Sequence, residues 1–132
     1  MKFQLIETPA TRPAGGRPYS AALRVADWLI IAGQAPIDAD GNVVGRGDPA
    51  AQWRQCLTNV KALVEEAGGT MADVVHTDIY VTDMRHHLAH SGIRREFFQE
   101  PYPTATVVGV TALAHEDWLI EIEASAYLGP PG

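Results

Sequence analysis

The stretch from Asp48 to Val81, DPAAQWRQCLTNVKALVEEAGGTMADVVHTDIYV, decides the fold because its apolar period changes partway along. Trp53, Cys56, Leu57, Val60, Leu63, Val64 and Ala67 recur at three- and four-residue steps, the spacing that puts side chains on one face of an α-helix. Asp48 can accept hydrogen bonds from the exposed first-turn amides, and Pro49 fits the first helical position. Gly68-Gly69 closes the helix. Thr70-Met71-Ala72-Asp73 has the spacing of a capping box opening a short turn. Val75, Thr77, Ile79 and Val81 then alternate with His76, Asp78 and Tyr80, which is the period of a strand.

Working outward, Tyr19–Val25 and Trp28–Ala32 read as a hairpin with Ala26-Asp27 at its turn. Residues 33–48 read as loop, with a chain reversal at Asp40-Gly41. A second helix is expected from Met84 to about Phe98, stopped by Pro101 and Pro103. Ala105–Val110 and Trp118–Ala126 read as a closing pair of strands. The resulting order, ββαβαββ, predicts an α+β domain with one mixed sheet carrying both helices on one face. Val and Ile occur on both faces of several strands, so the opposite face is expected to find its cover in an oligomer.

The chain has 132 residues, 46% of them apolar and 20% charged, which suits a single domain spanning 1–132. No window approaches the ~18 apolar residues of a membrane helix, and no secretory signal is visible. A soluble, cytoplasmic protein is expected, with no membrane partner. The formal charge of −6 and the lack of a basic stripe argue against nucleic acid. The single cysteine, Cys56, excludes an internal disulfide and is expected to pack as a small apolar group. The lysines, Lys2 and Lys61, are poorly placed for Schiff-base chemistry.

Several short motifs, in order, resemble the RidA/YjgF family of reactive enamine/imine deaminases, also labelled endoribonuclease L-PSP. They are Pro18-Tyr19-Ser20, Ala32-Gly33-Gln34, Ala51-Gln52, Asn59-Val60-Lys61-Ala62, Asp73-Val74-Val75, Val81-Thr82-Asp83-Met84, Phe97-Phe98 and Glu121-Ile122-Glu123-Ala124. The resemblance covers nearly the whole chain. It implies a chorismate-mutase-like fold and a homotrimer whose sheets form a central barrel, with small-molecule clefts between subunits. It also implies a cofactor-free reaction, in which water attacks the carbon of an imine formed from an enamine, ammonia leaves and a 2-oxo acid remains.

The family's Pro-x-Arg-Thr/Ser segment is Pro103-Thr104-Ala105-Thr106 here, so Ala105 stands where an arginine binds the substrate carboxylate. Alanine offers no bidentate donor, and the usual 2-imino acid is not the expected substrate. Ser91 stands where the family often has asparagine.

By the same resemblance Glu121 is the catalytic candidate, as an orienter or base for water. Alternation puts Glu123 on the same face, and a structural role is expected for it. Tyr19, Gly33, Ser91, Ala105 and Thr106 are the substrate-binding candidates. The competing readings are interface packing for Tyr19, a strand-ending glycine for Gly33 and an ordinary strand threonine for Thr106. His86 and His90 share a helix face near His87, a two-ligand spacing better read as a solvated face than as a metal site. Arg17, Arg94 and Arg95 are candidates to anchor a substrate from another direction. The function expected is a hydrolase or deaminase acting on a small imine, enamine or related C–N substrate. A non-catalytic trimer binding a small molecule or partner is the second reading, and an endoribonuclease the last.

Overall fold

The computed structural model describes residues 2–130. Six strands form one mixed sheet: β1 (Phe3–Ile6), β2 (Ala22–Val25), β3 (Trp28–Gln34), β4 (Val74–Val81), β5 (Thr104–Gly109) and β6 (Ile120–Tyr127). Their spatial order is β1-β2-β3-β6-β4-β5, antiparallel except for the β4/β5 pair. Two helices, α1 (Pro49–Glu66) and α2 (Met84–His90), complete the α+β fold. Among the described residues, no helix is long and apolar enough to cross a membrane.

Helix α1 follows from its local chemistry. The Asp48 carboxylate accepts from the Ala51 N–H at 3.1 Å, and Pro49 occupies the first turn. At the other end Gly68 takes φ +93°, and the Gly68 and Gly69 amides donate to the carbonyls of Glu65 and Val64, both at 3.0 Å. That pairing is a Schellman close, which needs the left-handed residue glycine supplies. The predicted stripe is buried in full, from Trp53 to Ala67. It packs on Leu29, Ile31, Ile120, Ile122, Ala124 and Ala126 of the sheet. Each large side chain buried there contributes about 1.5–3 kcal/mol.

The expected hairpin is present with different ends, β2 beginning at Ala22 rather than Tyr19 and β3 running on to Gln34 rather than stopping at Ala32; Ala22 pairs with Ile31 and Val25 with Trp28, around a turn with Ala26 at φ 53°. The capping box is present too, with the Thr70 N–H donating to the Asp73 carboxylate at 2.8 Å.

Four expectations need correction. β1 was not anticipated, because it is a four-residue edge strand with only Ile6 buried and so carries almost no periodic signal. The element order is therefore βββαβαββ. The closing strands are not a pair. β4 lies between them, because the connection through α2 returns the chain to lie parallel to β4, while β6 enters the slot between β3 and β4. Ile120, Ile122, Ala124 and Ala126, all buried, mark β6 as a central strand. The expected second helix stops at His90 and tightens into a 3-10 segment over Ser91–Glu96. Finally, Val75 is exposed and Val74 buried, because the β4/β6 register shifts between Val74 and His76; the alternation runs from Thr77.

The face of the sheet opposite the helices carries an apolar row at one end. Phe3 (51% exposed) and Leu5 (51%) of β1 stand in register with Trp28 (47%) and Ile30 (54%) of β3 through Val25 and Leu23 of the intervening β2. Glu121, Glu123, Asp78 and Tyr80 occupy the same face toward the other end.

Candidate functional site

The site begins with a break in the β3/β6 ladder. Ile31 pairs with Ala124 and Gln34 with Ile122, so three residues of β3 advance against two of β6. This is a β-bulge over Ala32 and Gly33, a device that re-aims backbone and side chains beside a ligand site. Two buried polar residues of α1 hold the loops flanking it. Asn59 donates to the carbonyls of Ala35 and Ile37 at 3.1 and 2.9 Å. Gln52 donates to the carbonyls of Gly45 and Asp117 at 3.1 and 2.9 Å and accepts from the Leu119 N–H at 2.8 Å. A helix that looks purely apolar in its stripe thus also fixes both walls of a cleft.

Between these loops is a cavity of about 420 Å³ whose lining includes Tyr19, Gly33, Asn59, Trp118 and Glu121. The sequence-derived candidates Tyr19, Gly33 and Glu121 therefore meet in one place. Gly33 is required by close approach. A β-carbon there would overlap Glu121 Oε1 and lie 3.0 Å from its Cδ. Burial, followed by the nearby Glu123 charge, raises the Glu121 carboxyl above the ordinary range. Glu123 differs although it shares the strand face: it accepts the Tyr80 hydroxyl at 2.6 Å. That bond, with burial and the neighbouring acids, pushes the Tyr80 phenol up to about 12. One carboxylate is engaged in structure while its neighbour opens on the cavity.

The remaining candidates sit elsewhere in the chain. Ser91 and Ala105 line a second cavity of about 220 Å³ together with Thr77, Arg94, Arg95 and Tyr102. Ala105 pairs with Thr77 on the helix side of the sheet. Thr106 pairs with Asp78 on the opposite face and lines neither cavity, as strand alternation requires. Sequence reasoning missed Arg12, Trp118, Gln52 and Asn59. Arg12 and Arg17 both line the Glu121 cavity. Trp118 stacks on His115 and has a buried indole N–H without a hydrogen-bond partner among the described residues. The Ala51-Gln52 and Asn59 motifs were signals for the two α1 polar residues, but their loop-holding role depends on tertiary contacts.

Cys56 is fully buried, and burial raises its thiol well above the ordinary value, which suits packing rather than reactivity. His87 packs beside Trp53, and burial, then Arg94, lowers its proton affinity. Among the described residues no three His, Cys, Asp or Glu side chains gather in a group able to hold a metal.

Residues 9–128 match the family model described as Endoribonuclease L-PSP. The chain belongs to this family, known also as RidA/YjgF. A RutC family protein of Pyrococcus horikoshii is 39% identical to this RidA-family chain over 127 residues, covering 96% of the chain and 98% of that protein. A 2-iminobutanoate/2-iminopropanoate deaminase of Dermatophagoides farinae is 34% identical over 122 residues, covering 92% and 93%. Among solved structures, RidA from an Antarctic Psychrobacter is 33% identical with a TM-score of 0.85, covering 94% of this chain and 98% of that one. TdcF of E. coli, solved with bound serine, is 31% identical with a TM-score of 0.84 over the same shares. The α+β fold expected of the RidA family is thereby established for this member.

Proposed function

We propose that this RidA-family protein is a cofactor-free hydrolase that deaminates a small imine, enamine or related C–N substrate at Glu121. The observation that carries the reading is the Glu121 carboxylate, packed over Gly33 in a cavity and held above its ordinary proton affinity. A carboxylate whose proton affinity is raised by burial is a better acceptor for a water proton than a solvated one. In the reaction, water oxygen bonds to the imine carbon while Glu121 takes a water proton. The C=N electron pair moves to nitrogen, which receives that proton from Glu121. The carbinolamine hydroxyl then passes its proton through Glu121 to the amine nitrogen, and ammonia leaves as the C–N bond breaks and the carbonyl forms.

The deaminase named among the relatives and the serine bound by TdcF support a small nitrogen-bearing substrate. The usual 2-imino acid is disfavoured because Ala105 has no guanidinium to hold its carboxylate. The working form is a homotrimer, in which the exposed row of Phe3, Leu5, Trp28 and Ile30 is covered. Clefts between subunits would then gather residues that one chain keeps in two cavities.

A non-catalytic trimer binding a small molecule or partner protein is the second reading, favoured by Ala105. Endoribonuclease activity ranks last, because the chain carries −6 and its arginines do not form a basic stripe. The test is ammonia release from freshly generated imines, with and without a carboxylate, by wild type, Glu121→Gln and Ala105→Arg. Turnover that is lost in Glu121→Gln supports the hydrolase. Activity confined to Ala105→Arg means an intact scaffold with a different native substrate, and silence from all three proteins overturns the hydrolase.

A further inference from the structure

The loop ahead of β2 carries two arginines, Arg12 and Arg17, and both line the Glu121 cavity. Neither has an acid within 4 Å among the described residues, although the chain holds 16 acids against 10 bases. Arg24, Arg46, Arg54 and Arg85, by contrast, are paired with Asp27, Asp117, Glu96 and Asp83. In an acidic chain, cations left unpaired beside a cavity mark a place for an anion from outside.

Local structure sets the reach of both side chains. Gly15 at φ +64° and Gly16 at φ +83° fold residues 13–17 into a turn, with the Arg17 N–H donating to the Ala14 carbonyl at 3.2 Å. The Arg17 guanidinium donates to that same carbonyl at 2.9 Å. The side chain is curled over its own turn, so much of the rotamer freedom that binding would cost is already lost. Arg12 follows the buried Thr11 and packs on the turn at Gly41, its Cδ 3.0 Å from where a β-carbon of residue 41 would stand.

A third donor comes from the loop before β6. The indole N–H of Trp118 is buried without a hydrogen-bond partner among the described residues, and Trp118 lines the same cavity. A buried N–H costs free energy until something accepts from it. Two separate guanidiniums and an indole N–H exceed what one carboxylate can use, since it has two oxygens and one charge and a single guanidinium satisfies it. A phosphate monoester offers three acceptor oxygens and a charge of about −1.5 to −2 at neutral pH, which matches the set in both respects. At about 420 Å³ the cavity has room for the organic part of such an ester beside Glu121.

We infer that the Glu121 cavity takes a phosphate monoester of a small molecule, its phosphate on Arg12, Arg17 and the Trp118 indole N–H and its organic end toward Glu121. The substrate class that follows, resting on the hydrolase reading, is an imine or enamine bearing a phosphate. The phosphate end stands on binding alone.

The test is isothermal titration of the full-length protein with propyl phosphate, butanoate and inorganic phosphate, beside the ammonia-release assay. Propyl phosphate is expected to bind, with butanoate weaker by about tenfold or more and inorganic phosphate weaker for want of the chain. Arg12→Gln and Arg17→Gln should each weaken propyl phosphate by about tenfold. Arg85→Gln, which removes the same charge from α2, should bind as wild type does. If Arg12→Gln disturbs the loop through its packing on Gly41, Arg17→Gln, at an exposed position, decides alone. Glu121→Gln should keep its affinity for propyl phosphate while losing turnover. Propyl phosphate binding with no ammonia from any imine ends the hydrolase and leaves this site. Turnover without propyl phosphate binding ends this site and leaves the hydrolase. Butanoate or inorganic phosphate that binds as tightly as propyl phosphate overturns the inference, as does equal weakening in Arg85→Gln.

Discussion

The carboxylate of Glu121 lies over the α-carbon of Gly33, its Cδ 3.0 Å and its Cγ 3.2 Å from where a β-carbon at residue 33 would stand. The atoms in the way all belong to one side chain, so a methyl group there turns Glu121 aside without disturbing the sheet. Gly33→Ala is therefore expected to keep its circular dichroism and to melt within a few degrees of wild type. Ammonia release should fall by about a hundredfold, the usual scale for a lost general base. Full activity in a folded Gly33→Ala protein would remove Glu121 from the mechanism.

Glu121 also makes activity and stability respond to pH in opposite senses. Its carboxyl is raised above 4.5, chiefly by burial and then by Glu123. A raised group holds its proton more tightly when folded, so its contribution to stability is present below the unfolded value and is lost as pH rises through the folded value. The general base needs the ionised form. The acid limb of kcat/KM should thus lie above 4.5. Glu121→Gln should melt at or above wild type at neutral pH, with the gap closing in acid. A variant less stable at neutral pH but not in acid would contradict the burial assignment.

Gln52 bonds to both loops that wall the site, through Gly45, Asp117 and Leu119. Leucine fills much of the same volume but leaves two carbonyls and one amide without their partner. Gln52→Leu should cost roughly 2–4 kcal/mol in denaturant unfolding. A loss below about 0.5 kcal/mol would mean that water replaces these bonds in full.

The apolar row on the open sheet face gives an assembly prediction. Ile30 is 54% exposed between Leu23 and Ser125. Ile30→Lys places a charge in the middle of the row while leaving the helix-side core untouched. Sedimentation of wild type should show a trimer, and the variant should shift to monomer with unchanged secondary structure. A wild-type monomer at micromolar concentration would end the between-subunit cleft.

Local signals made most of the architecture readable. The Asp48-Pro49 start, the stripe from Trp53 to Ala67 and the Gly68-Gly69 stop act within a few residues, so α1 needed no tertiary information. The turn at Ala26 and the alternation in β6 are equally local. β1 was hidden because an edge strand that buries one residue leaves almost no pattern. Strand order was hidden because alternation reports a face and never a neighbour, and that is why β5 and β6 were wrongly paired.

The chain by itself determined the α+β class, the helix α1, the hairpin, and which residue types were available for chemistry, because propensity, capping and period are written in neighbouring positions. Only the tertiary structure decided which of those residues meet. The bulge at Ala32 and Gly33 brings Glu121 and Tyr19 into one cavity, while β5 carries Ala105 to another and turns Thr106 away from both. Those meetings join residues as far apart as 19 and 121, and they depend on strand order and register, which are set by packing across the whole sheet.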